Sequence, residues 1–246
     1  MNTKIIAHRG YSHLYPENTM LAFKEAEQAG AHGIELDVHL TKDQQIVICH
    51  DEEIDRTSNG QGYIKDLTLG EIQEFQFLNG MNQYQDQPLS DITAPALDDF
   101  LDWFSQTDLF VNIEIKNNIF RYDGIVSKII ELIAKYDIQD RVIISSFNHH
   151  TLMEVKQMNS EIQVGFLTAC SLLEPGSYCA KYGVGFYHPL FISLDPEDFE
   201  NCSQEGIGLN VWTVNEEDHI NMMLEAEVAG IITNDVELAM KLVTVD

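Results

Sequence analysis

Strand-like and helix-like segments alternate along the whole of this 246-residue chain. The strand-like runs are short and apolar, and eight can be counted: Lys4–Ala7, Gly33–Val38, Leu109–Ile115, Arg141–Ser145, Gln163–Leu167, Val184–Tyr187, Gly208–Thr213 and Gly230–Ile232. Eight strand–helix units in about 250 residues are typical of a closed barrel of parallel strands. The alternation therefore predicts an α/β fold, a (β/α)8 TIM barrel that occupies residues 1–246 as a single domain.

Helix signals fill the intervals between these strands. Thr19–Ala29 has apolar residues at helical spacing and stops at Gly30, a good residue for a helix C-terminus. Asn215 is predicted to cap a helix because acidic residues follow it directly. The remaining helices are predicted over Leu97–Phe104, Gly124–Tyr136, His149–Met158, Leu172–Lys181 and Pro196–Ser203, and after Asp235.

One long irregular stretch interrupts the alternation after the second strand. A short apolar run, Ile46–Cys49, is followed by a segment rich in Asn, Gln, Asp and Gly that continues to Pro95. Long loops inside compact domains often carry function. We therefore predict an insertion in the barrel at approximately residues 51–95. A doubly wound open sheet is the alternative architecture, although no Gly-rich dinucleotide loop follows the first strand.

The composition limits the kinds of molecule that this protein is expected to bind. With 40 acidic residues against 14 basic ones, the net charge is −26, which argues against binding to nucleic acids or to anionic membranes. No stretch approaches the ~20 apolar residues of a membrane span, and no signal peptide is evident. The four cysteines have no zinc or redox spacing and are expected to be reduced. These features predict a cytoplasmic protein with a small-molecule substrate and no stable membrane association.

Acidic residues share one face of two predicted strands. Because side chains alternate along a strand, Glu35 and Asp37 point the same way, and Glu114 and Lys116 do so further along the chain. The carboxyl ends of all barrel strands meet at one mouth, so the three carboxylates are predicted to converge there. Such oxygen ligands suit Mg²⁺ or Ca²⁺ rather than zinc. Arg9 and Lys116 could then hold a phosphate.

Two histidines also follow strand-like runs. His8 comes after the first strand and His50 after Ile46–Cys49. An unperturbed histidine has a pKa near ~6.5 and can act as a general acid or base near neutral pH. A metal, two cations and two histidines together predict phosphoryl-transfer chemistry. Cys49 as a nucleophile is disfavoured because alternation directs it away from the face of His50, and the other seven histidines are expected at the surface or behind the site.

With these residues the chain resembles the bacterial glycerophosphodiester phosphodiesterase family. The matching segments run in order over nearly the whole chain: Ala7–Gly10, Pro16–Thr19, Gly33–Val38, His50–Asp51, Asp55–Gly62, Glu114–Lys116, Val211–Asn215 and Gly230–Asp235. The resemblance implies a (β/α)8 barrel with an inserted subdomain after the second strand. It also implies hydrolysis of a glycerophosphodiester to glycerol 3-phosphate and an alcohol.

The resemblance also implies roles for particular residues. It implies one divalent cation, Mg²⁺ or Ca²⁺, held by Glu35, Asp37 and Glu114, and an acid/base pair formed by His8 and His50. Arg9 and Lys116 would lie near the phosphate. On the residues alone, Trp212 is expected either in the plain core or, together with Phe147, in an apolar wall for the glycerol or the alcohol. Glu17, Asn18 and Asp51 are expected near the site, without a defined role.

Several questions stay open at the level of sequence. A lysophospholipase D-like enzyme that acts on a larger lipid, and a barrel that binds phosphate ligands without catalysis, are the alternative functions. The sequence does not set the preferred alcohol, the choice between Mg²⁺ and Ca²⁺, or which histidine is the acid. It also leaves open whether water or a substrate hydroxyl is the nucleophile, and the oligomeric state.

Overall fold

Eight parallel strands close into a barrel within residues 3–243, the part of the chain that the computed structural model describes. In chain order, the strands are β1 Lys4–His8, β2 Gly33–Leu40, β3 Ile46–Ile48, β4 Phe110–Ile115, β5 Val142–Ser146, β6 Gln163–Thr168, β7 Phe186–Pro189, β8 Gly208–Val211 and β9 Gly230–Thr233. Pairing of β1 with both β9 and β2 closes the barrel, and only β3 is antiparallel to its neighbour. The predicted (β/α)8 barrel is confirmed.

Helices separate the barrel strands and cover them from outside. They are α1 Met20–Gln28, α2 Leu69–Ile72, α3 Leu89–Ile92, α4 Leu97–Phe104, α5 Ile125–Tyr136, α6 His149–Met158, α7 Pro175–Lys181, α8 Pro196–Gln204, α9 Glu217–Glu225 and α10 Val236–Val243, with short 3-10 turns at Ile64–Asp66, Asn82–Tyr84, Gln139–Arg141 and Phe191–Ser193. α4 and α6 have the bounds that the sequence predicts. The hydroxyl of Thr19 accepts a hydrogen bond from the Ala22 amide and so caps α1.

Several predicted element bounds are wrong. The strand predicted over Gly208–Thr213 is β8 and ends at Val211, and the strand predicted over Val184–Tyr187 is β7 and runs from Phe186 to Pro189. β2 ends at Leu40, two residues later than predicted. Helix α7 begins at Pro175, three residues later than predicted, because proline is favoured in the first turn. Asn215 does not cap α9: its side-chain oxygen accepts a hydrogen bond from the Asn234 amide at 2.9 Å instead.

The alternation along β2 places its charged residues. All eight residues of β2 are buried, because one face of the strand lies under the helices and the other lines the barrel. Ile34, Leu36 and Val38 belong to the main hydrophobic core. Glu35 and Asp37 point to the barrel interior at the carboxyl ends of the strands, which is where active sites form in this architecture.

A hairpin at the end of β2 returns the chain to the barrel mouth. β3 pairs antiparallel with the last residues of β2, on the edge that β1 leaves free. The pairing ends with a hydrogen bond from the Cys49 amide to the Asp37 carbonyl at 3.0 Å. His50 follows directly, so an antiparallel strand outside the eight-stranded barrel brings this histidine to the mouth.

The segment between β3 and α4 has a small hydrophobic core of its own. Its buried residues are Val47, Cys49, Ile54, Ile64, Ile72, Phe77 and Ala94. A segment that packs on itself can hold polar side chains such as Arg56 in defined positions over the mouth. Within residues 3–243, no helix is long and apolar enough to cross a membrane.

Candidate active site

Three buried carboxylates meet at the barrel mouth. Glu35 and Asp37 come from β2, and Glu114 comes from β4, where it is the register partner of Asp37. Their side chains are almost fully buried, with 4 %, 1 % and 8 % of the residue surface exposed, respectively. One oxygen from each carboxylate lies within 4.8 Å of the other two. A cluster of oxygen ligands at this spacing could hold a hard divalent cation such as Mg²⁺ or Ca²⁺.

Two basic side chains neutralise part of this charge. Arg9 Nε lies 3.3 Å from Asp37 Oδ2 on one side of the cluster. On the other side, Lys116 Nζ lies 3.0 Å from Glu114 Oε1 and 3.7 Å from Asp37 Oδ1. Both cations border the cavity described below. Since buried charges need partners of opposite sign, these ion pairs help to keep the carboxylates inside the barrel.

The pKa values of the carboxylates diverge. Arg9 and Lys116 hold the pKa of Asp37 below its usual range, although burial opposes them. Burial, together with the charge of Asp37, raises the pKa of Glu114 to about 7. The pKa of Glu35 is raised well above its usual value by burial and by the neighbouring carboxylates. Repulsion within the cluster is therefore not fully compensated by protein groups, and a divalent cation would relieve it.

The turn after β1 positions Arg9 and orders Glu35. Arg9 and Gly10 both have positive φ angles, 57° and 81°. A Cβ at position 10 would lie 2.7 Å from atoms of Ala22 in α1, so the close approach and the conformation both favour glycine. The turn directs the Arg9 amide at Glu35 Oε2, with a hydrogen bond of 3.1 Å.

Asn18 and Glu17 also lie at the site. The Asn18 amide donates a hydrogen bond of 3.0 Å to Asp37 Oδ2. Glu17 accepts a hydrogen bond of 2.9 Å from Arg9 Nη1, and it stands outside the three-carboxylate cluster. Its pKa is lowered, against the effect of burial, by Arg56 and Arg9. In this structure Glu17 is therefore a partner of the two arginines.

His8 is held by a neutral partner. Its Nδ1 donates a hydrogen bond of 2.6 Å to Asn234 Oδ1, because a carboxamide oxygen can only accept. The other ring nitrogen, Nε2, lies 3.9 Å from Glu35 Oε2. Burial and the charge of Arg9 lower the pKa of His8 to about 4. The neutral imidazole thus has an unprotonated Nε2 on the side of the carboxylate cluster.

His50 is held by a charged partner. Its Nδ1 donates a hydrogen bond of 2.6 Å to Asp51 Oδ1, and Lys116 Nζ lies 3.2 Å from its Nε2. Behind the ring, His39 Nε2 donates to the His50 carbonyl oxygen at 3.1 Å, while its Nδ1 bonds with Tyr122 Oη at 3.0 Å. These contacts fix the ring of His50 and the backbone that carries it.

An arginine from the segment between β3 and α4 links the two sides of the barrel mouth. Arg56 Nε donates to Asp51 Oδ2 at 2.5 Å, and its Nη2 donates to Glu17 Oε1 at 2.8 Å. Asn79 also donates to Glu17, at 3.2 Å. A connected set of hydrogen bonds therefore runs from His50 through Asp51, Arg56 and Glu17 to Arg9.

These groups surround a cavity of about 220 Å³ inside the barrel mouth. Its polar wall contains both histidines, Arg9, Lys116 and two of the carboxylates, Glu35 and Glu114. Its apolar wall is formed by Phe147, Leu167, Trp212 and Ile232. The rings of Phe147 and Trp212 pack edge to face at 5.7 Å, and Trp212 Nε1 donates to the His188 carbonyl at 2.9 Å. The cavity can thus receive a ligand with one anionic end and one less polar end.

The sequence analysis missed three residues of the site. Arg56 and Asn234 both lie in segments that carry the family resemblance, but the residues next to them in the sequence do not indicate which side chains they contact. Asn112 lines the cavity from β4, and its place two residues before Glu114 on the same strand face was the available signal. The contacts of Arg56 with Glu17 and of Asn234 with His8 join parts of the chain that only the tertiary structure brings together.

Two side chains need separate comment. Cys49 is buried, and burial raises the pKa of its thiol to about 12, which disfavours a thiolate nucleophile. His188 was expected at the surface or behind the site, but it lies inside the barrel with no exposed surface. Its Nε2 accepts a hydrogen bond from Asn210 Nδ2 at 3.0 Å.

The sequence model of the glycerophosphoryl diester phosphodiesterase family matches residues 8–238. A glycerophosphodiester phosphodiesterase of Caldanaerobacter subterraneus subsp. tengcongensis is 42% identical over 243 residues, which cover 99% of this chain and 98% of that protein. Another, from Bacillus altitudinis, is 37% identical and is matched over 98% of both chains.

Solved structures have the same fold. A glycerophosphodiester phosphodiesterase of Thermotoga maritima superposes with a TM-score of 0.77 at 28% identity, covering 98% of this chain and 99% of that one. An Oleispira antarctica phosphodiesterase, solved in complex with the product sn-glycerol-3-phosphate, has a TM-score of 0.88 at 23% identity, with 97% and 95% coverage. At 23% identity, the similarity to the Oleispira antarctica protein is evidence for a shared fold alone.

Proposed function

Since this chain belongs to the glycerophosphoryl diester phosphodiesterase family, we propose that it hydrolyses small glycerophosphodiesters to glycerol 3-phosphate and an alcohol, using one divalent cation and two histidines. The enzyme class itself, glycerophosphodiester phosphodiesterase, follows from the family and from the curated relatives. The proposal adds the products, the cation and the roles of individual residues.

The observation that carries the proposal is the cluster of Glu35, Asp37 and Glu114 between two cations. As ligands of a cation the three carboxylates would all be ionised and bring three negative charges. Arg9 and Lys116 bring two positive charges, so these side chains would then sum to −1. A divalent cation would change that sum to +1. A phosphodiester carries one negative charge, so the loaded site would match it in sign and magnitude.

The cation would be held by Glu35, Asp37 and Glu114, and it would supply Lewis-acid stabilisation of charge on a phosphoryl oxygen. Arg9 lies at the cavity wall with its guanidinium beside Asp37, where it can orient the phosphodiester through its planar donors. Lys116 contributes a point charge on the opposite side. The two side chains together would fix the phosphorus between the histidines.

The histidines would move the protons. One takes a proton from the nucleophile as the new oxygen–phosphorus bond forms, and the other gives a proton to the alcohol oxygen as its bond to phosphorus breaks. Over the whole reaction, the hydroxyl of water ends on phosphorus and the remaining proton on the alcohol. His50, paired with the Asp51 carboxylate, and His8, paired with the neutral Asn234, are unequal partners suited to different roles.

The test is a direct assay of the purified protein with glycerophosphoethanolamine and glycerophosphocholine. We expect release of glycerol 3-phosphate that stops in excess EDTA and returns on addition of Mg²⁺ or Ca²⁺. Turnover that is indifferent to EDTA would remove the cation from the proposal. Tight binding of the diester without any product in either metal would favour a non-catalytic binding protein instead.

A further inference from the structure

The cavity at the barrel mouth extends inward to the level of Glu35, the deepest of the three carboxylates. Asn112 lies two residues before Glu114 on β4, so its side chain shares the inward face about 6–7 Å further from the mouth. Its register partners are Glu35 on β2 and Ile143 on β5. Asn112 lines the cavity together with the histidines and Trp212. The cavity therefore has a polar group at depth as well as at its entrance.

The carboxamide of Asn112 is buried, and its oxygen lacks a hydrogen-bond donor. Only 1 % of the residue is exposed, and no group in residues 3–243 donates a hydrogen bond to Oδ1. A buried acceptor without a donor is costly, so native proteins rarely keep one without a reason. Since Asn112 lines the cavity, an occupant that carries a hydroxyl could pair with its carboxamide.

The other polar groups of the cavity are already committed or charged. His8 and His50 are each held through Nδ1, and Arg9 and Lys116 are paired with carboxylates. The indole of Trp212 donates to a backbone carbonyl. Asn112 is therefore the neutral, uncommitted hydrogen-bonding side chain of the cavity wall, a match for a neutral hydroxyl rather than for a phosphate.

We propose that the side-chain carboxamide of Asn112 hydrogen-bonds with the terminal hydroxyl of the substrate's glycerol moiety, so that Asn112 selects glycerol over similar groups without that hydroxyl. The phosphate belongs near Arg9 and Lys116, and the terminal hydroxyl is the polar group of glycerol farthest from phosphorus. The carbon chain between them would lie against Phe147 and Trp212. The inference rests on the proposed function and adds a specificity-determining residue to it.

The test compares two substrates on the unaltered protein. One is glycerophosphoethanolamine, and the other is the analogue built on 1,2-propanediol, which retains the hydroxyl next to the phosphate-bearing carbon but lacks the terminal one. We expect kcat/KM to be on the order of 10- to 100-fold higher for the glycerol substrate, because the analogue leaves the Asn112 carboxamide without that partner. Equal values for the two substrates would overturn the role of Asn112 without touching the proposed hydrolysis.

Variants then connect the preference to Asn112. Asn112→Ala is expected to lower kcat/KM for glycerophosphoethanolamine and to bring the two substrates to within about threefold of each other, since the hydroxyl loses its partner. A variant that slows both substrates by one common factor would show a structural role and overturn the proposal. If the alanine variant does not fold, the same two substrates can be compared in Asn112→Ser, since serine keeps a polar group at this position.

Asn210→Ala is the matched control. Asn210 is also a buried asparagine on a barrel strand, but it contacts His188 and does not line this cavity. Its loss is expected to lower the melting temperature while the ratio of the two substrates' kcat/KM stays at the wild-type value. If neither substrate is hydrolysed by the unaltered protein with Mg²⁺ or Ca²⁺, it is the proposed function that fails.

Discussion

His8 Nδ1 lies 2.6 Å from Asn234 Oδ1, although 226 residues separate the two in the chain. The contact joins β1 to the loop after β9, the pair of strands whose hydrogen bonds close the barrel. Ser12 Oγ lies 3.1 Å from Asn234 Oδ1 and 2.7 Å from the His8 carbonyl oxygen, so it bridges the same two residues. Closure of the barrel therefore sets the tautomer of His8 and turns its Nε2 toward the carboxylates.

Asn234→Ala should impair catalysis more than folding. Without Oδ1, nothing holds the proton on Nδ1 of His8, and the ring can adopt the other tautomer. We expect kcat to fall on the order of 10- to 100-fold, measured by release of glycerol 3-phosphate. Asn201→Ala, which removes a partly buried contact between α7 and α8, should lower stability but not kcat. A wild-type kcat in Asn234→Ala would exclude this role.

His8→Ala and His50→Ala should each lower kcat by a factor of about 10²–10⁴, because each removes one of the two proposed proton-transfer groups from the cavity. The measurement is the rate of alcohol release at saturating substrate. His150→Ala, a change of the same type at an exposed position on α6, should keep the wild-type rate. Near-normal activity in either cavity variant would remove that histidine from the mechanism.

Arg56→Ala should lower activity from a position in the inserted segment. Arg56 bonds both Asp51 and Glu17, so its loss frees the partner of His50 and the partner of Arg9 together. We expect kcat/KM to fall about 10- to 100-fold with little change in melting temperature. The control is Lys65→Ala in the same segment, whose ammonium pairs with Asp66. Equal effects of the two substitutions would argue against a specific role for Arg56.

Glu114→Gln should weaken cation binding and stabilise the metal-free protein. The change removes one of three adjacent negative charges, so titration calorimetry with Mg²⁺ or Ca²⁺ should show affinity at least about 10-fold lower. Relief of repulsion with Asp37 should raise the melting temperature in EDTA. Glu197→Gln, at an exposed position on α8, should change neither the affinity for the cation nor the melting temperature. Unaltered affinity in Glu114→Gln would place the cation elsewhere.

His188 should make the protein sensitive to acid. Burial lowers the pKa of His188 to about 3, so between about pH 6.5 and 3 the unfolded chain binds a proton that the folded protein does not. The free energy of unfolding therefore falls as the pH falls through that range. Between pH 7.5 and 4.5, urea denaturation of the wild type should show a loss about 2–3 kcal/mol larger than that of His188→Gln. Parallel pH profiles would contradict this.

Much of the architecture could be predicted because it depends on local periodicity. The eight barrel strands and helices such as α4 and α6 follow from the spacing of apolar residues along the chain. The ends of strands were less predictable, as at Val211, because hydrogen bonds with distant segments decide where strand pairing stops. Asn215 shows the same effect: its side chain is engaged by Asn234 and cannot cap the adjacent helix.

The sequence by itself determined that Glu35 and Asp37 share a face and that Glu114 lies on the corresponding face of a later strand, since the two-residue period of a strand is a local property. Only the tertiary structure decided how these faces meet. The pairing of β2 with β4, the hairpin that returns His50 to the mouth and the closure that joins His8 to Asn234 each depend on contacts between distant residues. Partners of that kind are selected by packing and register in three dimensions, which no local pattern of residues encodes.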